Sequence, residues 1–219
     1  MTRLAICTPV DGTELTGTVH AGYAVALGLL LRDNHGLDVV PAHLMFSVDI
    51  VRARNRAARK VLVDMPDVTH VLWWDSDVVP RDLSIVKHML ATQEHLIGAP
   101  YLRKSEAPAW THMGELDALG HVRGVGFGFT ITSVVCLRLM ASMSRKYTDF
   151  LSDGTEVDDT ADVFDLQYAR HPSGKTMKLS EDFSFCERWR GYGGRVCLYT
   201  GPGSILSHVG SKAFTPPHR

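Results

Sequence analysis

Nowhere in the 219 residues is there a run of about 18 uninterrupted apolar side chains, so no transmembrane helix is expected. The N-terminus has no basic-then-apolar leader, because Pro9 and Asp11 interrupt its first apolar run; a cytoplasmic location is the expectation. Charge of one sign is not in excess either. Lys and Arg total 23 against 24 Asp and Glu, a net charge of -1, which gives no global pull toward nucleic acid or membrane but leaves room for a local basic patch. Neither G-x-G-x-x-G nor G-x-x-x-x-G-K-[ST] occurs, so the dinucleotide and P-loop fingerprints do not apply. The cysteines number only four (Cys7, Cys136, Cys186, Cys197) with no C-x-x-C. They are expected to be buried small residues in a reducing compartment rather than a disulfide frame or a zinc site. The 11 histidines include no pair at i, i+4, so no helical metal-ligand pair is expected.

What is present is an ordinary apolar content in a length that suits one domain with a sizeable core. Residues 70–74, His-Val-Leu-Trp-Trp, are short, β-branched and aromatic, and read as a buried strand. The strand runs straight into Asp75-Ser76-Asp77, and Pro80 ends any continuation. By itself a D-x-D triplet is a solvated turn. At the carboxyl end of an interior strand, two carboxylates one residue apart make a hard-oxygen site. Such a site suits Mn²⁺ or Mg²⁺ carrying a diphosphate, and strand carboxyl ends are where open α/β sheets bind ligands.

In chain order, residues 4–8 read as a first strand that passes into a loop at Pro9, and 18–32 as a helix with Val19, Tyr23, Ala26, Leu27 and Leu30 on one stripe. A second strand over 39–46 carries Pro41, which argues for an edge position or a late start. Ser47 or Asp49 caps a helix over 50–65 bearing Arg52, Arg54, Asn55, Arg56, Arg59 and Lys60. This run is either a solvated basic face or, through Arg52, Arg54 and Asn55 near the helix start, a donor for phosphate or a nucleobase. A helix over 82–93 and a strand over 96–100 follow. Trp110, on a loop, either anchors the core or stacks on a ligand. In Gly124-Val-Gly-Phe-Gly-Phe129 the glycines bare one face of a strand, for close packing or for a sugar approaching Gly126 to Gly128; a helix over 134–145 comes next.

Residues 147–178 are acidic and irregular, and read as an acceptor-side loop or hairpin insertion. Ser180 is placed to cap a helix over 181–191, with Glu181 and Asp182 in its first turn. Those two carboxylates either serve the helix dipole or supply a general base. Residues 195–199 form a last strand. His208 is either a surface side chain or a further ligand to a cation, since imidazole is acceptable to Mn²⁺.

Taken in order, Ile6-Cys-Thr-Pro9, Ala53-Arg54-Asn55, Leu72-Trp-Trp-Asp-Ser-Asp77, Gly126-Phe-Gly-Phe129, Glu181-Asp182 with Phe185, and Ser207-His208 resemble the GT-A-fold, D-x-D glycosyltransferases. The resemblance spans the chain from first strand to tail, apart from 147–178. It implies a single Rossmann-like α/β domain over 1–219 with a mixed, mainly parallel sheet flanked by helices. It further implies a UDP- or GDP-sugar donor, a divalent cation and a hydroxyl acceptor: a glycan, a protein or a hydroxylated DNA base. By analogy Asp77 is the direct metal ligand, Asp75 meets ribose or metal, Ser76 lies beside the donor, and His208 is a further ligand. Thr8 and Pro9 flank the nucleobase, Arg54 and Asn55 lie near base or diphosphate, and Asp182, beside Glu181, is the base of an inverting reaction. Two other classes use similar parts. A metal-dependent nucleotidyltransferase or phosphohydrolase needs further clustered acids for a second cation, and a non-catalytic nucleotide-sugar-binding module needs no base.

Overall fold

Along the two central strands, successive side chains enter opposite cores. Leu4 and Ile6 of the first, and Leu72 and Trp74 of the other, join one apolar cluster. Ala5 and Cys7, with Val71 and Trp73, join the other. This alternation is the two-residue period of a strand buried on both faces. The computed structural model describes residues 2–12, 17–33, 36–47, 49–104, 109–151, 153–170, 173–209 and 213–214.

The elements begin with β1 (Arg3–Val10), α1 (Ala21–Asp33), β2 (Asp38–Phe46), α2 (Ile50–Asp64), β3 (His70–Trp74), β4 (Val78–Pro80) and α3 (Ser84–Ala91). There follow β5 (Leu96–Gly98), β6 (His112–Met113), β7 (Gly124–Val125), β8 (Phe129–Ser133) and α4 (Val134–Ser142). Next come β9 (Lys146–Phe150), β10 (Glu156–Ala161), β11 (Tyr168–Arg170) and β12 (Thr176–Lys178). The chain finishes with α5 (Glu181–Gly191), β13 (Cys197–Leu198), β14 (Leu206–Val209) and β15 (Ala213–Phe214).

Six strands form the main sheet in the order β13-β5-β8-β3-β1-β2. The pairs β1–β2, β1–β3 and β13–β5 are parallel, and β8 alone runs against its neighbours β3 and β5. This is the mixed, mainly parallel α/β sheet expected from the sequence. β2 lies at the sheet edge, the position argued from Pro41. Helices α1 and α3 cover one face through Tyr23, Leu30, Ile85 and Met89. Helices α2, α4 and α5 cover the other through Ala57, Val61, Leu137, Met140, Phe185 and Trp189.

Beyond this sheet, β4 pairs with β14, and β14 with β15, so the segment after the D-x-D turn is held by the far end of the chain. The irregular stretch resolves into two antiparallel pairs, β9–β10 and β11–β12. The acidic side chain of Asp149 turns back onto α2, receiving ion pairs from Arg52 and Arg56.

Several boundaries differ from the sequence reading. α1 begins at Ala21 rather than 18, and α4 ends at Ser142 rather than 145. Asp49 caps α2 as expected, accepting from Val51 N at 2.9 Å. Ser180 stands at the N-cap of α5 without making the side-chain cap; its hydroxyl goes to the Asp182 carboxylate instead, a stronger, charge-assisted acceptor.

Candidate active site

The Asp75-Ser76-Asp77 segment is a tight turn, closed by Val78 N donating to Asp75 O at 3.0 Å. Three other segments fix it: Asp75 N donates to Gly128 O at 3.0 Å, His20 N to Ser76 O at 3.0 Å, and Val209 N to Asp77 O at 2.7 Å. The turn is thus both the local structure its residues favour and a rigid mount at the carboxyl end of β3. With its backbone spoken for, its carboxylates are presented in fixed positions.

Arg54 lies beneath the turn, on α2, with its side chain 3% exposed. Its Nη2 donates to Asp75 Oδ1 at 3.0 Å and its Nη1 to Glu181 Oε1 at 2.5 Å. The guanidinium carbon lies 5.7 Å from the Phe127 ring centroid and 5.9 Å from that of Phe164. Burial opposes the arginine's charge, but Asp75 and Glu181 outweigh it and shift its pKa upward. Asp75 moves the other way from an ordinary ion-paired carboxylate. Burial raises its pKa, Arg54 counters, and Asp77 and Asp182 add repulsion, for a net rise. Glu181 is likewise raised, by burial first, against the pull of Arg54.

Asp77 has different company. Lys104 Nζ forms an ion pair with its Oδ2, and His208 Nε2 lies 3.6 Å from the same oxygen. His208 reaches it because antiparallel pairing places His208 opposite Val78. Its Nδ1 is 3.0 Å from Leu102 O; a carbonyl only accepts, so Nδ1 carries a proton and Nε2 is the ring nitrogen turned toward Asp77. Burial raises the Asp77 carboxyl, and His208 and Lys104 overcome it, leaving the pKa below the usual carboxylate value.

These residues fit a divalent cation. A carboxylate and an imidazole nitrogen converge, and the Lys104 ammonium stands on the same carboxylate oxygen. Asp75, turned to Arg54, completes a local excess of carboxylates over positive groups. Mn²⁺ or Mg²⁺ held by one or two carboxylates, with the rest of its shell from phosphates, needs no larger protein cage.

Asp182 Oδ1 accepts from Phe183 N at 2.7 Å and from the Ser180 hydroxyl. Tyr101 is buried and feels the charges of Asp75 and Asp182, with its hydroxyl accepting from Gly128 N at 3.0 Å. Its ring packs edge-on against His208 at 5.1 Å. Burial, then the nearby Asp75 and Asp182 charges, push its pKa well above the ordinary tyrosine value.

The remaining sequence candidates spread out. Thr8 is fully buried, its Oγ1 2.6 Å from Tyr23 Oη, and Pro9 follows it within β1. Arg52 binds Asp149 and the Phe150 carbonyl, and so anchors the β9–β10 hairpin. Asn55 donates to Asp162 Oδ1 at 2.8 Å and accepts from Phe164 N at 3.0 Å, fixing the segment after β10. Of the basic helix, Arg54 alone joins the turn. The face bared by the glycines is filled by protein: a Cβ on Gly128 would lie 2.1 Å from Tyr101 Oη, and one on Gly126 3.0 Å from Thr111 Cβ. The packing alternative is the one realised, and Gly126 offers no open face to a sugar. Trp110 is 38% exposed, beside His112 in a cleft that also includes Pro100 and Leu198, so it is not a core anchor.

Tyr101 and Lys104 escaped the sequence reading. Tyr101 had a usable signal, since it follows β5 at a strand carboxyl end. Lys104 had none, being one basic residue in an aperiodic loop.

No family model matches the chain, and no curated protein matches it. Among solved structures, the crystal structure of A197 from STIV is similar over 100% of this chain and 96% of that one, with a TM-score of 0.57 at 16% identity. The catalytic domain of Drosophila beta1,4galactosyltransferase 7, in complex with xylobiose, is similar over 96% of this chain and 71% of that one, with a TM-score of 0.49 at 14% identity. A glycosyltransferase involved in the glycosylation of the major capsid of PBCV-1 is similar over 64% of this chain and 65% of that one, with a TM-score of 0.36 at 11% identity. The first likeness, nearly end to end in both chains, shows a shared α/β fold, and solved glycosyltransferases are among the other structures similar to this chain.

Proposed function

We propose that the protein transfers a sugar from a nucleoside-diphosphate sugar to a hydroxyl acceptor, with a divalent cation at Asp77 and His208. The observation that carries this reading is the convergence of His208 Nε2 and Lys104 on Asp77, which is held on a rigid turn at the carboxyl end of β3. In the reaction the bond from the anomeric carbon to the diphosphate breaks and one to the acceptor oxygen forms. A cation there would neutralise charge on the departing diphosphate. Lys104 adds a second positive charge on the same side. Arg54 holds Asp75 and Glu181 in place from below. Asp182 takes the acceptor proton; its Oδ1 receives the Ser180 and Phe183 donors, so Oδ2 is the oxygen for the substrate.

The test is a melting panel of nucleoside diphosphates and their sugars, with and without Mn²⁺, on wild type and Asp77→Ala. A ligand that binds only folded protein raises its stability by mass action. One nucleoside diphosphate giving a Mn²⁺-dependent shift, absent in Asp77→Ala, is the expected result and names the donor base. Equal shifts in both proteins, or none, reject the site.

A further inference from the structure

We propose that Glu94, His121 and Cys197 form a second metal site, a Zn²⁺ staple that fastens the β6–β7 connection to the edge of the main sheet. The proposal is independent of the glycosyltransferase reading. Among the described residues these three are the group whose ligand atoms all lie within 4.8 Å of one another. Tetrahedral Zn²⁺ with sulfur, nitrogen and oxygen ligands needs separations of roughly 3.3–3.8 Å, a contraction that side-chain rotation supplies.

The backbone explains the convergence. Cys197 on β13 stands in register with Ile97 of β5 on one side and with His121 on the other. Leu198 N donates to Gly120 O at 2.9 Å, and Val122 N to Val196 O at 2.9 Å, so the chain around His121 acts as one more antiparallel strand beyond β13. Directly opposed residues of an antiparallel pair put their side chains on the same face. Glu94 joins them from the turn between α3 and β5. Three segments distant in sequence each contribute one ligand.

The chemistry of the set is that of zinc. A thiol, an imidazole and a carboxylate are its three ligand types, with the fourth position for water. His121 has the outer partner that zinc-bound histidines have: Nδ1 is 3.3 Å from Asp117 Oδ2, and Asp117 Oδ1 is itself held by Leu119 N and His121 N, each at 2.8 Å. With Nδ1 so engaged, Nε2 is the nitrogen left for a cation. Cys197 is 5% exposed. Zn²⁺ takes cysteine as the thiolate, so binding forms the Zn–S bond and releases the thiol proton. Arg195, whose Nη2 is 3.9 Å from Glu94 Oε2, is mostly exposed and can withdraw to solvent.

The experiment is a Co²⁺ titration of the chelator-treated full chain, read by absorbance, with Zn²⁺ competition and melting in parallel. In both wild type and Asp77→Ala, one bound Co²⁺ is expected to give a thiolate-to-metal charge-transfer band, displaced by Zn²⁺, whatever further Co²⁺ the Asp77 site takes up in wild type. Zn²⁺ is expected to raise the melting midpoint by several degrees. Cys197→Ser is expected to lose the band, although Cys7, Cys136 and Cys186 remain. Should Cys197→Ser fold poorly, Asp117→Asn keeps all three ligands and is expected to bind Co²⁺ about 10–100-fold more weakly. No thiolate band in wild type, a band that survives Cys197→Ser, or unchanged affinity in Asp117→Asn overturns the proposal.

Discussion

His208 Nε2 lies 3.6 Å from Asp77 Oδ2, with no covalent or helical reason for the two to be near. The ring is fixed by Leu102 O, so Nε2 faces the carboxylate, and a cation bound there would take both groups as ligands. His208→Ala is expected to weaken Mn²⁺ binding on the order of tenfold or more. Electron paramagnetic resonance of free Mn²⁺ measures it; undiminished binding would remove His208 from the site.

Lys104 competes for the same oxygen. Its ion pair with Asp77 is about one-third exposed on both sides, and such pairs contribute under about 1 kcal/mol. Lys104→Ala is accordingly expected to tighten Mn²⁺ alone by about two- to fivefold while weakening a nucleoside diphosphate. Calorimetric titration of both ligands separates the effects, and a parallel change in the two would contradict this account.

Arg54 is the buried hub for Asp75 and Glu181, so its removal strands two carboxylates. Arg54→Met is expected to destabilise the fold by about 3–5 kcal/mol. Adding Glu181→Gln to Arg54→Met should recover part of that loss, because it removes one of the stranded charges. Urea unfolding of the single and double variants measures the coupling, and strict additivity would count against the hub.

Asp149 is 1% exposed and ion-paired with Arg52 and Arg56; burial raises its pKa, but the two arginines prevail and the net shift is downward. A carboxyl lowered on folding contributes stability that is complete above its unfolded value near 3.8 and is lost as pH falls through the lower folded value. Asp149→Asn should therefore cost roughly 2–3 kcal/mol at pH 7, less than a fully buried pair because Arg52 is partly exposed. The difference from wild type should shrink below about pH 4. Hydrogen exchange of β9 and β10 at the two pH values locates the effect.

Two glycines give opposite expectations. Gly128→Ala drives a Cβ to within 2.1 Å of Tyr101 Oη and should cost about 1–3 kcal/mol. Gly28, exposed in α1 with nothing near it, should gain about 0.5–1 kcal/mol on change to Ala. Thermal melts of both variants test whether the bared strand face is packed.

The sheet and the turn were legible because their signals are local. β3 is a short β-branched and aromatic run, Asp49 stands one residue before its helix, and Pro41 marks an edge. What was not legible depends on partners far along the chain. Whether the glycines faced a sugar or a side chain was decided by Tyr101. Whether α2 was a solvated face was decided by Asp149, which draws Arg52 and Arg56 to a hairpin and leaves Arg54 to the turn. The cysteines are buried and free, as their scattered spacing suggested, but that His121 and Cys197 meet through an antiparallel bridge is announced by no local pattern.

The pairing of β4 with β14 carries a consequence for biosynthesis. The D-x-D turn emerges from the ribosome long before His208 does. At about 5–20 residues per second, the nascent chain spends on the order of ten seconds with Asp75 and Asp77 made and their imidazole partner not yet translated. Strands β1, β2 and β3 can pair in that interval, whereas His208 is brought to Asp77 only as the last strands arrive. A stalled chain ending before β14 would carry the acidic turn without the strand that pairs with β4 and pins Asp77 through Val209 N.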